Sequence, residues 1–514
     1  MRLENSMKNM KYNIISQVIC LVVQFISRTF FVKILGSEYL GINGLFNNIL
    51  TLLSLADMGI GTVLVYSMYE PLANKDKTKL KMLMNEYKKI YIIIALIVFI
   101  LGICIVPFLH IFINDMPNIP NIRCIFILYL LNIVVSYLCI YKISIINADQ
   151  KSYIVSVTQQ IINIIANIFM TLILLVSRDF IAYLVIQIAF SIMSNIYISK
   201  KAEKMYPFIK ETNGYKLNIE EKRKIKKDTF AMLLHKIGGV VVNGTDTLIM
   251  SAMIGLKEVG IYSNYLLIIN SINRFTWQYF ISMSASLGNM NVETSKEYLY
   301  SIFKKVFYGN FWIYTFCSIC LYFLVNPFIE MWIGREYVFD YYVVFFIVLA
   351  FYVEGMRKTN ICFREAMGMF THDQLKPIIE AILNLIISIV LTMKFGIIGI
   401  ILGTIISMLL TCTWVEPYVL FKYGFKLKVS LYFKMFFKYI LIGIISFFAT
   451  YFANELIMGN SIISFILRFC ITIIISNTVI ILATFRTEEF KYFWNIAKKI
   501  IYKKAGKFIK NIEK

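Results

Sequence analysis

The chain has 514 residues, 59% of them hydrophobic and 16% charged, and a formal net charge of +22. A soluble domain of this size has too little interior to hide so much apolar side chain, whereas a protein dissolved in lipid needs no such interior. The basic residues sit in short clusters between apolar runs and in a C-terminal tail, which membrane topology explains and nucleic-acid binding does not.

A spanning helix needs roughly 20 apolar residues, and such stretches recur from end to end. The sequence predicts about fourteen spans: 13–35, 40–69, 87–112, 122–146, 153–176, 179–199, 229–254, 258–288, 303–328, 338–362, 376–393, 396–421, 432–452 and 461–485. The first run continues past Gly36 without a small-residue cleavage site, so it reads as a retained helix and not a signal peptide. The long second and eighth spans are expected to bend at glycines or extend beyond the bilayer. The longest polar stretch, about 200–228, reads as a loop.

Charge sets the orientation. With the N-terminus inside, 42 Lys and Arg residues fall in cytoplasmic segments and six outside: Lys33, Arg123, Arg178, Lys257, Arg335 and Lys394. Four more, Arg28, Lys236, Arg274 and Arg468, lie deep within spans. Such a bias is a strong positive-inside signal, and an odd number of spans would spoil it. Both termini are therefore expected in the cytoplasm.

An internal repeat divides the chain. Ile34-Leu35-Gly36-Ser37-Glu38-Tyr39-Leu40-Gly41-Ile42 joins the first two spans, and Met253-Ile254-Gly255-Leu256-Lys257-Glu258-Val259-Gly260-Ile261 joins the seventh and eighth. The offset is 219 residues for both glycines. Two parallel six-helix lobes follow, 1–200 and 229–421, joined by a basic cytoplasmic linker at 201–228. Spans thirteen and fourteen (422–485) fall outside the repeat, and 486–514 is a basic cytoplasmic tail. Like bundles facing each other across a cavity are a common alternating-access layout.

Polar residues within spans mark the candidate pathway, because they are costly in lipid and usually face the bundle interior or water. Stripes of them lie on the helices that the repeat makes equivalent. Gln24 and Arg28 share a face of span one, and Asn43, Asn47 and Asp57 one of span two. Lys236, Asn243 and Asp246 share a face of span seven, and Ser263, Asn270, Arg274 and Trp277 one of span eight. Any single Asn, Gln or Ser is more simply read as glue between helices. Arg28, Lys236, Arg274 and Arg357 are the candidates for an anionic group, since a guanidinium fork suits phosphate oxygens. Asp57, Asp246 and Glu354 are the ion-coupling candidates. The bland alternative is internal pairing, Arg28 with Asp57, Asp246 with Arg274, or Glu354 with Arg357. Glu380 and Glu416 are expected at the interface, and Arg468 is expected to snorkel outward.

Nothing points to catalysis. There is no GxxxxGK[ST] loop, HExxH or nucleophile elbow. Nine cysteines are scattered, and the CxxC of Cys317 and Cys320 lies within a span, where two small buried residues are the simpler reading. Three histidines form no metal-ligand cluster, and no cofactor is expected beyond a coupled proton or sodium ion.

At this point the chain resembles a family. The run from Arg28 through Gly36-Ser37-Glu38-Tyr39-Leu40-Gly41-Ile42-Asn43-Gly44 to Phe46 is similar to the opening of Wzx-type polysaccharide and O-antigen repeat-unit flippases. So are Leu52 to Gly61, Tyr69-Glu70-Pro71-Leu72-Ala73, Phe395-Gly396-Ile397-Ile398-Gly399 and Trp414-Val415-Glu416-Pro417. The resemblance implies the superfamily of MATE exporters and lipid II flippases, all-α, with two six-helix lobes and often two added helices. It implies transfer of an undecaprenyl-pyrophosphate-linked oligosaccharide to the outer leaflet of a bacterial inner membrane, coupled to an ion gradient. The expected partners are that lipid-linked oligosaccharide, membrane lipid, a glycan polymerase and glycosyltransferases, with the protein a monomer. Arg28 matches the family's first-span arginine and Asp57 its acidic position, while Lys236 and Arg274 match no motif. A MATE-like small-molecule antiporter and a membrane enzyme acting on the same glycan are the competing readings.

Overall fold

A computed structural model describes residues 2–54, 60–114, 117, 119–149, 151–210, 217–221, 223, 225, 244–369, 375–457, 459 and 461–498. The side chains of residues 2–17, and of single positions in helices α2 and α8, lie outside that description. Among the described residues there is no strand. The helices are α1 (Arg2–Leu53), α2 (Ile60–Ala73), α3 (Lys77–Ile105), α4 (Ile122–Ala148), α5 (Ser152–Ser177), α6 (Phe180–Met205) and α7 (244–253). They continue as α8 (Leu256–Glu293), α9 (Lys296–Ile333), α10 (Tyr341–Ala366), α11 (Lys376–Phe395), α12 (Ile397–Leu410), α13 (Cys412–Val419), α14 (Ser430–Glu455) and α15 (Ile462–Thr484).

Ten described helical segments are long and apolar enough to cross a membrane. α10 has the length as well, and is set apart by Glu354, Arg357 and Lys358 in its C-terminal half. Helices suit lipid because each satisfies its own backbone. Their outer faces carry exposed apolar rows, such as Ile92, Ile93, Leu96 and Ile100 on α3 and Ile444, Ile445, Phe448 and Phe452 on α14. Rows of that kind would be a liability in water and are ordinary against acyl chains. The protein is therefore an all-α, multi-pass membrane protein.

Local chemistry sets the element ends. Asp76 accepts from the Lys79 amide (2.9 Å) at the start of α3, and Asp179 from the Ile181 amide (2.8 Å) at the start of α6. The first two expected spans form one kinked helix, broken at Gly36, whose φ of 86° and ψ of −175° suit only a residue without Cβ. Within the expected second span, 40–69, α1 ends at Leu53 and α2 starts at Ile60, and residues 55–59 lie outside the described residues.

By contacts the chain divides into two compact units, Met1–Ser263 and Asn264–Lys514. Residues 244–263 thus cluster with the first unit, because α7 and the start of α8 pack on α1. In the second unit, α11 and α12 approach closely at small residues. A Cβ on Gly399 would lie 2.3 Å from the Leu391 backbone, and one on Gly403 would lie 2.1 Å from Ser388 Oγ. This is small-xxx-small packing, reinforced by Asn384 donating to Thr404 Oγ1 (2.9 Å). α14 and α15 are joined by buried polar contacts, among them Asn454 donating to Thr472 Oγ1 (3.2 Å). Aromatic rings lock α9 to α14, with Phe311 stacked on Tyr439 at 4.5 Å.

Candidate functional site

In the first unit the two copies of the repeat touch. A Cβ on Gly41 would lie 2.0 Å from the Leu256 carbonyl oxygen, and one on Gly260 would lie 2.2 Å from that of Ser37. The repeat offset carries Ser37 onto Leu256 and Gly41 onto Gly260. The contact is thus reciprocal, each copy laying its glycine on the other's backbone, and only glycine permits an approach so close.

Arg28 lies on α1 beside this crossing. Its Nη2 donates to the Ser263 carbonyl oxygen (3.2 Å) and to Ser263 Oγ (3.1 Å). Its Nε is buried and has no hydrogen-bond partner among the described residues. Among the described residues no carboxylate reaches it, and its neighbours include the phenols of Tyr129 and Tyr183. Tyr129 donates to Asn43 Oδ1 (2.8 Å), and the Asn47 amide donates to that same oxygen (2.6 Å). The result is a guanidinium held by neutral polar groups with donor capacity to spare. Gln24 donates to Cys20 Sγ within its own helix (3.6 Å). Asp246 is half-buried on α7 and engaged there. Asp57, Lys236 and Asn243 lie outside the described residues.

The second unit treats its arginine differently. Arg357 forks onto Glu416, through Nη2 to Oε1 (2.8 Å) and Nε to Oε2 (3.3 Å), and its Nη1 reaches Glu380 (3.4 Å). Lys376 Nζ donates to the same Glu416 oxygen. Glu416 is fully buried and Glu380 nearly so. A buried carboxylate with two cations around it is a closed structural unit, because removing any member strands a charge. Glu354 is paired with Lys358 (2.5 Å) and not with Arg357.

On α8, Asn270, Arg274 and Trp277 are exposed along one face, and Lys358 stands 5.6 Å from the Trp277 ring centre. Arg274 stands midway along α8, a helix outside the ten apolar segments of spanning length, and its exposed guanidinium is suited to water and not to acyl chain. Trp277 was visible in the sequence as part of the polar stripe. Tyr129, Lys376, Glu380 and Glu416 were not recognisable as partners, since only the packing of distant helices joins them, whereas Lys358 lies one turn from Glu354 on the same helix.

Comparison with known proteins adds the family. The structure resembles that of the lipid II flippase MurJ in an inward closed conformation, at TM-score 0.65 and 17% identity, covering 91% of this chain and 98% of that one. It also resembles an inward-facing multidrug resistance MATE family transporter, at TM-score 0.59 and 12% identity, covering 76% and 92% of the two chains. A Vibrio cholerae MATE transporter gives TM-score 0.54 at 12% identity, covering 82% and 98%. These likenesses show a shared fold. No curated protein matched the sequence. Residues 6–286, more than half of the chain, match the model of the polysaccharide biosynthesis protein family, and the chain belongs to that family.

Proposed function

We propose that the protein is a flippase that moves undecaprenyl-pyrophosphate-linked oligosaccharide repeat units from the cytoplasmic to the outer leaflet. The observation that carries this reading is Arg28, a cation at membrane depth with no carboxylate among the described residues and an unused, buried Nε–H. Moving a pyrophosphate through hydrocarbon unaided costs on the order of tens of kcal/mol in the limiting estimate for a buried charge. A guanidinium at Arg28 in the first unit, and a second at Arg274 in the other, each replace part of the lost solvation, and the planar fork matches phosphate oxygens. The family, and the lipid II cargo named for one structure of the same fold, support this class of substrate.

The proposed mechanism is alternating access driven by a proton or sodium gradient, with Asp57, Asp246 and Glu354 as coupling groups. The protein would act as a monomer in a bacterial inner membrane, with both termini cytoplasmic, alongside a glycan polymerase and glycosyltransferases. The charge bias of the loops supports that orientation. The lobe boundaries proposed from the repeat, 1–200 and 229–421, belong to this picture. Replacing Arg28 and Arg274 with Ala, singly and together, tests it by following surface glycan. Export should fall at least about tenfold, the cost of one charge-assisted hydrogen bond. Normal export at normal protein level would overturn the role of both arginines. The MATE-like fold keeps a drug antiporter as the second reading. Drug sensitivity of a deletion strain with intact surface glycan would select it.

A further inference from the structure

A second polar site lies in the second unit, away from Arg28 and Arg274. The end of α9, the turn between α14 and α15, and the first two turns of α15 enclose a cavity lined by Glu330, Ser461, Arg468, Pro327 and Phe465. Arg468 is fixed from one side. Its Nη2 donates to the carbonyl oxygens of Ile457 (3.1 Å) and Gly459 (3.3 Å), while its Nε is buried and has no hydrogen-bond partner among the described residues. Gly459 has a φ of +89°, a conformation that favours glycine. A buried donor left over in this way can take an acceptor from outside the chain.

The surroundings say from where. Leu456, Ile462, Ile463 and Ile466 are all more than half exposed on the same helix ends. An occupant therefore arrives from the membrane and not through bulk water. The cavity is at helix termini, the depth at which lipid headgroups lie. It offers one cation, one carboxylate and a hydroxyl, so a purely anionic headgroup meets Glu330 as well as Arg468.

We propose that this cavity binds the headgroup of a zwitterionic phospholipid, with its phosphate on Arg468 and Ser461 and its primary ammonium on Glu330. A carboxylate has several acceptor sites, so Glu330 can take the ammonium beside any contact it already makes. The site concerns resident lipid and is independent of the flippase reading.

The test uses the full-length protein in nanodiscs of equal phosphatidylethanolamine, phosphatidylglycerol and phosphatidylcholine, released for native mass spectrometry. Phosphatidylethanolamine should be retained about tenfold over the other two, one charge-assisted contact in affinity terms. Phosphatidylcholine is the informative control, because its quaternary ammonium has no N–H for Glu330. Arg468→Gln should abolish retention, whereas Glu330→Gln should keep phospholipid and lose the preference for phosphatidylethanolamine. Excess inorganic phosphate should displace nothing. Equal retention of the three lipids by the unaltered protein, unchanged selectivity in Glu330→Gln, or displacement by phosphate each overturns the proposal. Should Arg468→Gln fail to fold, the headgroup comparison and Glu330→Gln still decide it.

Discussion

Arg28 and Arg357 are both guanidinium groups inside the hydrophobic part of the chain, and they have opposite surroundings. Arg357 spends its fork on Glu416 and Glu380, with Lys376 completing a neutral cluster. Arg28 is held by one serine and keeps a buried donor unused. The difference separates charge kept for architecture from charge kept for a ligand. A closed pair repays its own desolvation, whereas an open cation is tolerated only where something else will complete it.

The sharpest way to break this contrast is to remove Glu416. Glu416→Ala leaves a buried positive charge in excess, with Arg357 and Lys376 beside Glu380, and should destabilise the protein by about 3–5 kcal/mol. Thermal unfolding in detergent would show it as a large drop in Tm. An unchanged Tm would mean that the cluster is not structural. Arg357→Met combined with Glu416→Met should recover most of the loss, since apolar replacement of a buried pair is often neutral. Arg28→Ala should behave in the reverse manner, keeping stability within about 1 kcal/mol of the original while export falls tenfold or more. Arg28→Lys should restore export only in part, because a point charge cannot replace a fork. Equal losses of Tm and export in Arg28→Ala would erase the distinction.

The glycine crossing should respond next. Gly41→Ala or Gly260→Ala places a methyl about 2 Å from a backbone oxygen and should cost about 1–3 kcal/mol, read by the same melting experiment. The smallest effect belongs to glue. Asn384→Ala removes one contact to Thr404 and should cost about 0.6 kcal/mol.

The all-α membrane architecture was legible because apolar runs of spanning length announce themselves without tertiary knowledge. The kink at Gly36 was legible for a related reason, since glycine is the residue that can adopt it. The break at Thr411 between α12 and α13, within the expected span 396–421, was not legible. Pairing was the least legible. Spacing on one helix suggested Glu354 with Arg357, but Lys358, one turn on from Glu354, takes that carboxylate. Glu380 and Glu416 come to Arg357 from α11 and α13, and no local pattern encodes that meeting. Arg28 stood out from the sequence as an isolated charge, while its serine partner lies 235 residues away.

The crossing of Gly41 over Leu256 and of Gly260 over Ser37 has a genetic corollary. At the crossing itself backbone lies on backbone, so the spacing of each loop relative to the other sets the phase. One extra residue between Gly36 and Gly41 would throw the glycine off its landing point. The matching insertion between Gly255 and Gly260 would shift the opposite strand of the clasp by the same step. Paired insertions should therefore suppress each other within one gene, a pattern of rescue that side-chain substitutions at this place cannot produce.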